Sequence, residues 1–297
     1  MCVKRGTTPE KREETPMRPD GTRVKNLTPI TQALPYVMPK RYDAQNWAND
    51  YVDEDIVRKY IREKRRQGRT VTHMSLLIAA YYKAALENPK VNYFVMNRKI
   101  YKRNHFCVSF VILKTRADGT PDETCLKIFL NPEDDIFAIS DRIRAEIDKN
   151  MNAVHNNNTD KFANMAFSIP GLARFVFGLA YRLDQWGLLP RRIIDLSPFH
   201  TSLFVTNLAS INTQYIFHHC YEFGTTSVFI CMGRPVKDPT APADSRRKRM
   251  PLGVVMDERI ATGIEYSRFF AAFERYLKNP EALEQRLDGK MAIPVGV

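Results

Sequence analysis

The sequence lacks the features that mark a disulfide-bonded, metal-binding or membrane-spanning protein. Its cysteines number five, which is odd, and none forms a Cys-x-x-Cys pair, so neither a disulfide framework nor a zinc site is indicated. It has no run of about 18 uncharged apolar residues that could cross a bilayer. Residues 1–21 are polar and charged, without the apolar core of a signal peptide. We therefore expect a cytoplasmic protein with reduced thiols and no metal.

Positive charge is the unusual bulk property of the chain. The formal net charge is +12, and basic residues are densest in residues 57–69 and 245–249. Such surfaces attract nucleic acid, acidic lipid or the phosphates of coenzyme A. Few aromatic residues are interleaved and no nucleic-acid-binding motif accompanies the clusters. Nucleic acid is therefore not an expected partner. A solvated helix face and a flexible loop would account for both clusters, and contact of the basic helix with an anionic membrane is the alternative.

The chain is expected to fold as one domain over residues 26–297, preceded by a flexible polar arm of residues 1–25. Residues 26–40 contain three prolines and are predicted to be extended or turning. Strands are predicted at residues 44–52, 90–97, 105–113, 124–130, 201–208, 225–233 and 251–257. Helices are predicted at residues 53–68, 75–89, 132–151 and 265–280. Because these elements mix without a regular βαβ alternation, we expect an α+β fold, a two-layer α/β sandwich with a mixed β-sheet.

Residues 169–190 form the most apolar stretch, and helical spacing places six large apolar residues on one face. Arg174, Arg182 and Asp184 exclude a transmembrane role. Three interpretations remain for this helix, at residues 171–186. It packs on the chain's own core, lies in a subunit groove, or rests on an anionic membrane surface.

A short motif near the C-terminus connects the chain to a known family. Asp257, Arg259 and Gly263 follow an apolar strand with the spacing Asp-x-Arg-x-x-x-Gly. With this motif the chain resembles the catalytic domain of the dihydrolipoyl acyltransferases of 2-oxoacid dehydrogenase complexes, whose fold chloramphenicol acetyltransferase shares. The similar segments are residues 71–92, 98–112, 202–211, 227–235 and 250–280.

The resemblance implies an acyl transfer in which histidine deprotonates a thiol and a serine hydroxyl stabilises the oxyanion. Thr206, followed by Asn207, matches the serine and keeps a hydroxyl. Glu258 matches the histidine, and Thr262 matches the acidic residue four positions on. The family further implies coenzyme A or an acyl-CoA as substrate, and a homotrimer with sites between subunits. It also implies possible association with other acyltransferase-complex subunits. The sequence shows no lipoyl domain, lipoyl attachment site or partner-binding domain.

Glu258 is a weaker base than the histidine that it replaces. A free glutamate has a pKa of about 4.3, a thiol about 8.5 and a histidine about 6.5. Proton transfer from the thiol therefore costs about 3 kcal/mol more to a glutamate than to a histidine. Burial raises the pKa of a carboxylate and would reduce this difference. The alternative is a structural glutamate paired with Arg259 or with a neighbouring subunit.

Two adjacent histidines are the other candidates for a base. His218 and His219 precede Glu222, so a His–Glu pair or, with Cys220, a nucleophile–base pair is a further hypothesis. The spacing lacks the second ligand pair of a zinc motif. Adjacent side chains of a strand point to opposite faces, so at most one of the two enters a shared site. The remaining histidines, His73, His105, His155 and His200, are isolated and interpreted as structural.

Two functional hypotheses follow. The first is a divergent acyltransferase that uses Thr206 for the oxyanion and Glu258, His218 or His219 as base, with Arg259, Thr262, Gly263 and Asn207 supporting the site. The second is a catalytically inactive protein that keeps the trimeric scaffold for assembly or regulation.

Overall fold

The computed structural model describes residues 18–115, 119–151, 168–242 and 244–286. Its helices are α1 (Pro29–Val37), α2 (Glu54–Arg66), α3 (His73–Glu87), α4 (Ile136–Met151), α5 (Leu172–Trp186), α6 (Arg191–Leu196) and α7 (Gly263–Lys278). Its strands are β1 (Gly21–Arg23), β2 (Gln45–Asp53), β3 (Tyr93–Met96), β4 (Lys99–Arg103), β5 (Phe106–Thr115), β6 (Pro121–Leu130), β7 (Leu203–Asn207), β8 (Val228–Met232), β9 (Val236–Lys237) and β10 (Lys248–Asp257). Within this part of the chain, no helix is long and apolar enough to cross a membrane.

One mixed sheet organises the molecule, with strand order β2-β10-β8-β7-β5-β6 and β9 paired to β10. β7 runs parallel to both β5 and β8, whereas the other pairs are antiparallel. A smaller sheet contains β1, β4 and β3. The expected α+β sandwich with a mixed sheet is confirmed.

The two faces of the main sheet differ in what covers them. Helices α2, α3, α4 and α7 pack on the inner face, where side chains such as Val205, Ile230 and Val254 are fully buried. Each such side chain contributes about 1.5–3 kcal/mol of burial free energy. The outer face carries Phe204 and Phe229, which stack with ring centroids 4.7 Å apart.

An irregular segment, residues 213–222, lies across the outer face and is named here the cover segment. Its approach requires glycine on β10, because a Cβ at Gly253 would come within 2.6 Å of the Tyr215 ring and 2.8 Å of the Ile216 carbonyl oxygen. Gly224 follows the segment with φ of +86°, and a Cβ there would lie 2.3 Å from the Phe199 carbonyl oxygen.

Two predictions for the N-terminal region need correction. Residues 29–37 are the helix α1 and not extended, because Thr28 and Pro29 form a helix start in which Thr28 Oγ1 accepts from the Thr31 backbone amide. Residues 18–25 were assigned to the arm, yet β1 pairs with β4 and Arg18 is buried. Long-range pairing therefore extends the fold to residue 18, and residues 1–17 lie outside the described residues.

Asp53 caps α2, as the helix predicted from residue 53 implies, and α3 begins at His73, two residues before its predicted start at residue 75. Asp53 Oδ1 accepts from the amides of Asp55 and Ile56, at 3.0 and 3.3 Å. Thr72 and Ser75 form a capping box at the start of α3. The strand β4 was missed because a tight turn at Asn97 and Arg98, both with positive φ, separates it from β3.

Helix α5 is attached to the fold by its last turn. Asp184 is buried, with Oδ1 2.7 Å from Arg18 Nη2 and Oδ2 3.1 Å from His200 Nε2. Phe175 and Trp186, from the predicted apolar face, are 66% and 63% exposed. The prediction that this apolar face packs on the chain's own core is therefore wrong for the side that carries Phe175 and Trp186.

Candidate functional site

The signature segment, residues 257–263, starts where β10 ends and is built around a buried ion pair. Asp257 Oδ2 lies 2.8 Å from Arg259 Nη2, and Oδ1 lies 2.9 Å from Arg259 Nε. Arg41 adds a second guanidinium, with its Nε 3.5 Å from Asp257 Oδ2. The three side chains are at most 3% exposed, so the carboxylate is neutralised where water is excluded.

The backbone of the segment is also held in place. Tyr266, one turn into α7, donates its hydroxyl to the Asp257 carbonyl oxygen at 2.8 Å. The Glu258 amide donates to the Ala44 carbonyl oxygen at 2.8 Å, and Arg259 Nη1 donates to the Met38 carbonyl oxygen at 3.1 Å. The segment therefore has a defined conformation although the histidine of the resembled family is absent.

Glu258 itself points away from this cluster. Its side chain is exposed, and Arg259 is occupied by Asp257 and a carbonyl oxygen. The alternative of a structural Glu258–Arg259 pair is therefore wrong. Within one chain, the Glu258 carboxylate is exposed to water. The fold of a single chain therefore does not supply the burial that would make it a stronger base.

Thr262 and Gly263 begin the last helix. The Thr262 backbone amide donates to Glu265 Oε2 at 2.8 Å, and its hydroxyl donates to the same oxygen at 3.1 Å. Lys90 pairs with the other oxygen of Glu265. A Cβ at Gly263 would meet open space. These contacts make Thr262 a helix-start residue, a role that the aspartate of the resembled family would also satisfy.

Thr206 lies far from Glu258 in the same chain. It pairs with Cys231 on β8, which in turn pairs with Gly253 on β10. Glu258 lies five positions beyond Gly253, which is about 16 Å along the strand direction. Strand β10 is also two strands away from β7, which is about 10 Å across the sheet. The two matched positions therefore cannot act on one substrate atom within a single chain. Asn207, next to Thr206, has a buried Oδ1 with no hydrogen-bond partner in the described ranges.

His218 is the predicted residue that the fold does bring towards Thr206. Its ring stacks on Phe229, with centroids 4.3 Å apart and an interplanar angle of 17°. Phe229 is two positions before Cys231, the partner of Thr206, and the alternation of strand side chains places both on the outer face. The Cα atoms of Thr206 and Phe229 are therefore on the order of 8 Å apart.

The environment of His218 favours a neutral imidazole. Burial, together with the neighbouring His219, lowers the pKa of His218. Its Nε2 is buried and has no hydrogen-bond partner within the described ranges. A neutral imidazole has one nitrogen that accepts a proton, as a general base must.

The other members of the histidine cluster do not assemble into a catalytic group. His219 is exposed. Glu222 Oε2 accepts from the Arg41 backbone amide at 2.8 Å and not from either histidine. Burial raises the pKa of Cys220 to about 12, so its thiol stays protonated. These contacts therefore do not support a His–Glu pair, and burial of the Cys220 thiol disfavours it as a nucleophile.

Arg41, which no sequence motif indicated, joins several parts of the site. Its Nη1 donates to the Gly224 carbonyl oxygen at 3.1 Å and its Nη2 to the Val95 carbonyl oxygen at 3.0 Å, beside its contact with Asp257. No local pattern marks this arginine, because its partners are 54 to 216 positions away along the chain. In the described part of the chain, no group of three His, Cys, Asp or Glu side chains is arranged to hold a metal.

Comparison with solved structures identifies the fold. A probable dihydrolipoamide acetyltransferase from Listeria monocytogenes matches with a TM-score of 0.52 at 16% identity, over 89% of this chain and 97% of that chain. A chloramphenicol acetyltransferase matches with a TM-score of 0.53 at 12% sequence identity, over 87% of this chain and 100% of that chain. The dihydrolipoamide acetyltransferase of Azotobacter vinelandii matches with a TM-score of 0.50 at 10% sequence identity, over 88% of this chain and 94% of that chain. That enzyme was studied for the roles of a serine, a histidine and an asparagine in its catalytic mechanism.

These matches confirm the fold that the sequence segments indicated. The chain has the fold of chloramphenicol acetyltransferase and of the catalytic cores of dihydrolipoamide acetyltransferases. Neither the protein-family models nor the curated protein sequences give a match to this chain.

Proposed function

We propose that this protein is an acyltransferase that binds an acyl thioester on the outer face of its sheet, with Thr206 and His218 as its catalytic residues. The observation that carries the proposal is the position of His218, whose ring stacks on Phe229 on the sheet face that presents Thr206 and whose Nε2 has no hydrogen-bond partner among the described residues. The fold of acyl-transferring enzymes supports the reaction class.

Each residue has one role in the proposed reaction. The neutral imidazole of His218 removes the proton of the attacking thiol, and the thiolate attacks the thioester carbonyl carbon. The Thr206 hydroxyl donates a hydrogen bond to the oxyanion that forms. Collapse of this intermediate expels the original thiolate, which recovers the proton from His218. Coenzyme A or another acyl carrier supplies the thioester.

Glu258 reaches a Thr206 only if that threonine belongs to another copy of the chain. The two residues lie at opposite ends of the sheet, so a homotrimer with sites between subunits would bring them together. In such an assembly the neighbouring copy would cover the Glu258 side chain and displace the water around its carboxylate. We therefore assign Glu258 a secondary role, as a substrate-facing residue from the adjacent subunit.

The test is a calorimetric titration with coenzyme A and acetyl-coenzyme A, paired with an assay of thiol release. His218→Phe keeps the stacked ring and removes both nitrogens, and Thr206→Val keeps the shape and removes the hydroxyl. We expect each to lower turnover about 10²-fold or more while leaving binding within a few-fold. His219→Ala is the matched control and should keep its turnover.

Glu258→Gln separates the two candidate bases. A loss of turnover in Glu258→Gln with full activity in His218→Phe would overturn the assignment of His218. Mixing the Thr206→Val and Glu258→Gln proteins then tests the subunit arrangement, since a shared site regains activity only in mixed oligomers.

A second candidate function is a catalytically inactive scaffold. It is favoured by the signature segment, which keeps the buried Asp257–Arg259 pair although an exposed glutamate replaces the histidine. A stable trimer in sedimentation velocity, with neither binding nor turnover of acetyl-coenzyme A, would support this function over the first.

Helix α5 favours peripheral membrane contact as an additional property. Phe175, Leu179 and Trp186 are exposed, and Arg174 and Arg182 lie beside them. Aromatic and arginine side chains on one helix suit the surface of an anionic bilayer. Co-sedimentation with liposomes should rise with the fraction of acidic lipid and fall in Phe175→Ser; equal binding to neutral liposomes would exclude this contact.

A further inference from the structure

A cleft of about 250 Å³ lies between α1 and the small sheet. A cavity of roughly 150 Å³ holds one benzene ring, so this cleft has room for a ring and a small charged group. Four of its lining residues are cationic, namely Arg23, Lys25, Arg98 and Lys99. No aspartate or glutamate of the described residues lines it, so the charged side chains of its wall all have the same sign.

The cationic residues of the cleft can be reached from solvent. Arg23, Lys25 and Arg98 are exposed, and Lys99 is half-buried. Within the described ranges, no carboxylate lies within 4.0 Å of the charged groups of Arg23, Arg98 or Lys99. These three charges are therefore available to a ligand that enters from solvent.

Two lysines of the cleft come opposite each other in the small sheet. The Val24 amide donates to the Ile100 carbonyl oxygen at 2.9 Å, which extends the pairing of β1 with β4. The next residue, Lys25, therefore lies opposite Lys99. Like charges directly opposite in an antiparallel pair destabilise a sheet. An anion between them would remove this repulsion.

Arg98 occupies a position at which glycine is favoured. Asn97 and Arg98 form the two-residue turn between β3 and β4, with φ of 48° and 59°. Such turns prefer asparagine followed by glycine, because a left-handed backbone is unfavourable for a residue with a Cβ. The Arg98 guanidinium lies 5.5 Å from the centroid of the Tyr36 ring, which also lines the cleft. The strained turn therefore holds a cation at the cleft, and such strain is typical of functional sites.

The rest of the wall and the charges together define the ligand. Several cations in one place favour a doubly charged anion, and a guanidinium matches the oxygen atoms of a phosphate group. Leu27, Pro35 and Ile100 add apolar surface to the wall. Apolar surface favours a ligand with a carbon body over free inorganic phosphate.

We propose that this cleft is a binding site for a phosphate monoester with a small apolar body. The phosphate group lies among Arg98, Lys25 and Lys99, and the apolar body packs against Tyr36 and Leu27. This inference goes beyond the proposed acyl transfer, and neither Thr206 nor His218 lines the cleft. A soluble phosphate ester and the head group of a lipid have the same chemistry at this point, and the experiment below distinguishes them.

The test is a calorimetric titration of the full-length protein with phenyl phosphate. Benzenesulfonate has the same ring but only one negative charge, and it is titrated at the same salt concentration. We expect saturable binding of phenyl phosphate and weaker binding of benzenesulfonate by at least about tenfold, the loss expected for one charged hydrogen bond.

Arg98→Gly locates the binding. It should weaken the binding of phenyl phosphate by at least about tenfold. It should also raise the melting temperature by about 2 °C, because glycine relieves the left-handed strain of the turn. An arginine that only stabilises the fold would show the opposite change in melting temperature. Arg62→Gln is the matched control, because it removes one exposed positive charge from α2, and it should bind as the wild type does.

The source of the phosphate is tested with phosphatidylcholine vesicles that contain equal fractions of phosphatidic acid or of phosphatidylserine. Phosphatidic acid presents a phosphate monoester, whereas the phosphate of phosphatidylserine is a diester. Preferential co-sedimentation with phosphatidic acid that is lost in Arg98→Gly would identify a lipid head group. Binding of phenyl phosphate without this preference would identify a soluble ester.

Three results would each overturn the proposal. They are failure of the wild type to bind phenyl phosphate, equal affinity for benzenesulfonate, and equal losses of affinity in Arg98→Gly and Arg62→Gln. The first two use the wild type alone and remain valid if a variant does not fold. Phenyl phosphate has neither a thiol nor a thioester, so failure of this proposal is distinguishable from failure of the proposed acyl transfer.

Discussion

Two buried ion clusters of this protein have similar chemistry but were not equally visible in the sequence. In the signature segment, Asp257 and Arg259 are two positions apart and form a bidentate pair at the end of β10. At helix α5, Asp184 pairs with Arg18, which is 166 positions away, and with His200. The first pair could be noticed as a motif, whereas the second depends on chain segments that meet only in the folded protein.

Within the signature segment, the residues that stabilise the structure differ from the residue that is exposed to other molecules. The signature pair positions the backbone of Glu258, yet the glutamate side chain itself is exposed and makes no ion pair among the described residues. The cluster at Asp184 holds a helix whose aromatic residues face outward. In both cases a buried charge pair anchors an element whose neighbouring exposed side chains remain available for other molecules.

The largest expected effect is that of removing the charge of Asp257. Asp257→Asn leaves Arg259 and Arg41 buried without a carboxylate, and we expect a loss of about 3–5 kcal/mol in the free energy of unfolding. Urea denaturation measures it. Glu258→Gln, at the adjacent exposed position, should change stability by less than about 0.5 kcal/mol. Similar losses in both variants would remove the distinction between anchor and exposed residue.

The same change in the second cluster should cost less. Asp184→Asn deprives Arg18 and His200 of a partner, but Arg18 keeps Asp20, at 2.9 Å. We expect a loss of about 3 kcal/mol, with faster hydrogen exchange in α5. Asp195→Asn, which breaks an exposed pair with Arg191, should change stability by less than about 0.5 kcal/mol. A loss larger than that of Asp257→Asn would reverse the ranking.

Acid should weaken the Asp184 cluster. Burial alone would raise the pKa of Asp184, but the hydrogen bond with His200 and the charge of Arg18 hold it below its usual value. The folded state therefore gains stability above the unfolded pKa of about 3.9, and this gain is lost as pH falls through the folded pKa. Unfolding measured between about pH 5 and pH 2 should show a steeper loss in the wild type than in Asp184→Asn. Parallel curves would show that Asp184 is not the responsible group.

The smallest expected effect concerns the start of α7. Thr262→Val removes the hydroxyl that contacts Glu265 and should cost about 1 kcal/mol. Thr262→Ser keeps the hydroxyl that donates to Glu265 and should preserve stability, because serine is an equally good first residue. Thermal unfolding of the two variants checks both expectations. A loss as large in Thr262→Ser as in Thr262→Val would indicate a role beyond this hydroxyl.

Much of the fold was predictable because its determinants are local. The alternation of apolar side chains in β5, β8 and β10 and the caps at Asp53 and Thr72 act over a few residues, and these elements were found. Helix α1 departs from the extended structure predicted for residues 26–40, because Pro29 occupies the first helical position, where proline is favourable.

The candidate site was less predictable because it depends on strand register. Thr206, Glu258 and His218 were all identified from the sequence, but the sequence did not show which of them could act together. The pairing of Thr206 with Cys231 and of Cys231 with Gly253 separates Thr206 from Glu258. The stacking of His218 on Phe229 places it on the face of Thr206.

The sequence by itself determined the mixed α+β class and the chemical identity of the signature segment, in which a glutamate stands where the resembled family has a histidine, since these follow from residue types at short spacing. Only the tertiary structure decided that Arg41 adds a second guanidinium beside Asp257 and that α5 exposes its aromatic side chains. The physical reason is that burial and charge pairing depend on which distant segments exclude water from each other, and no local pattern specifies that.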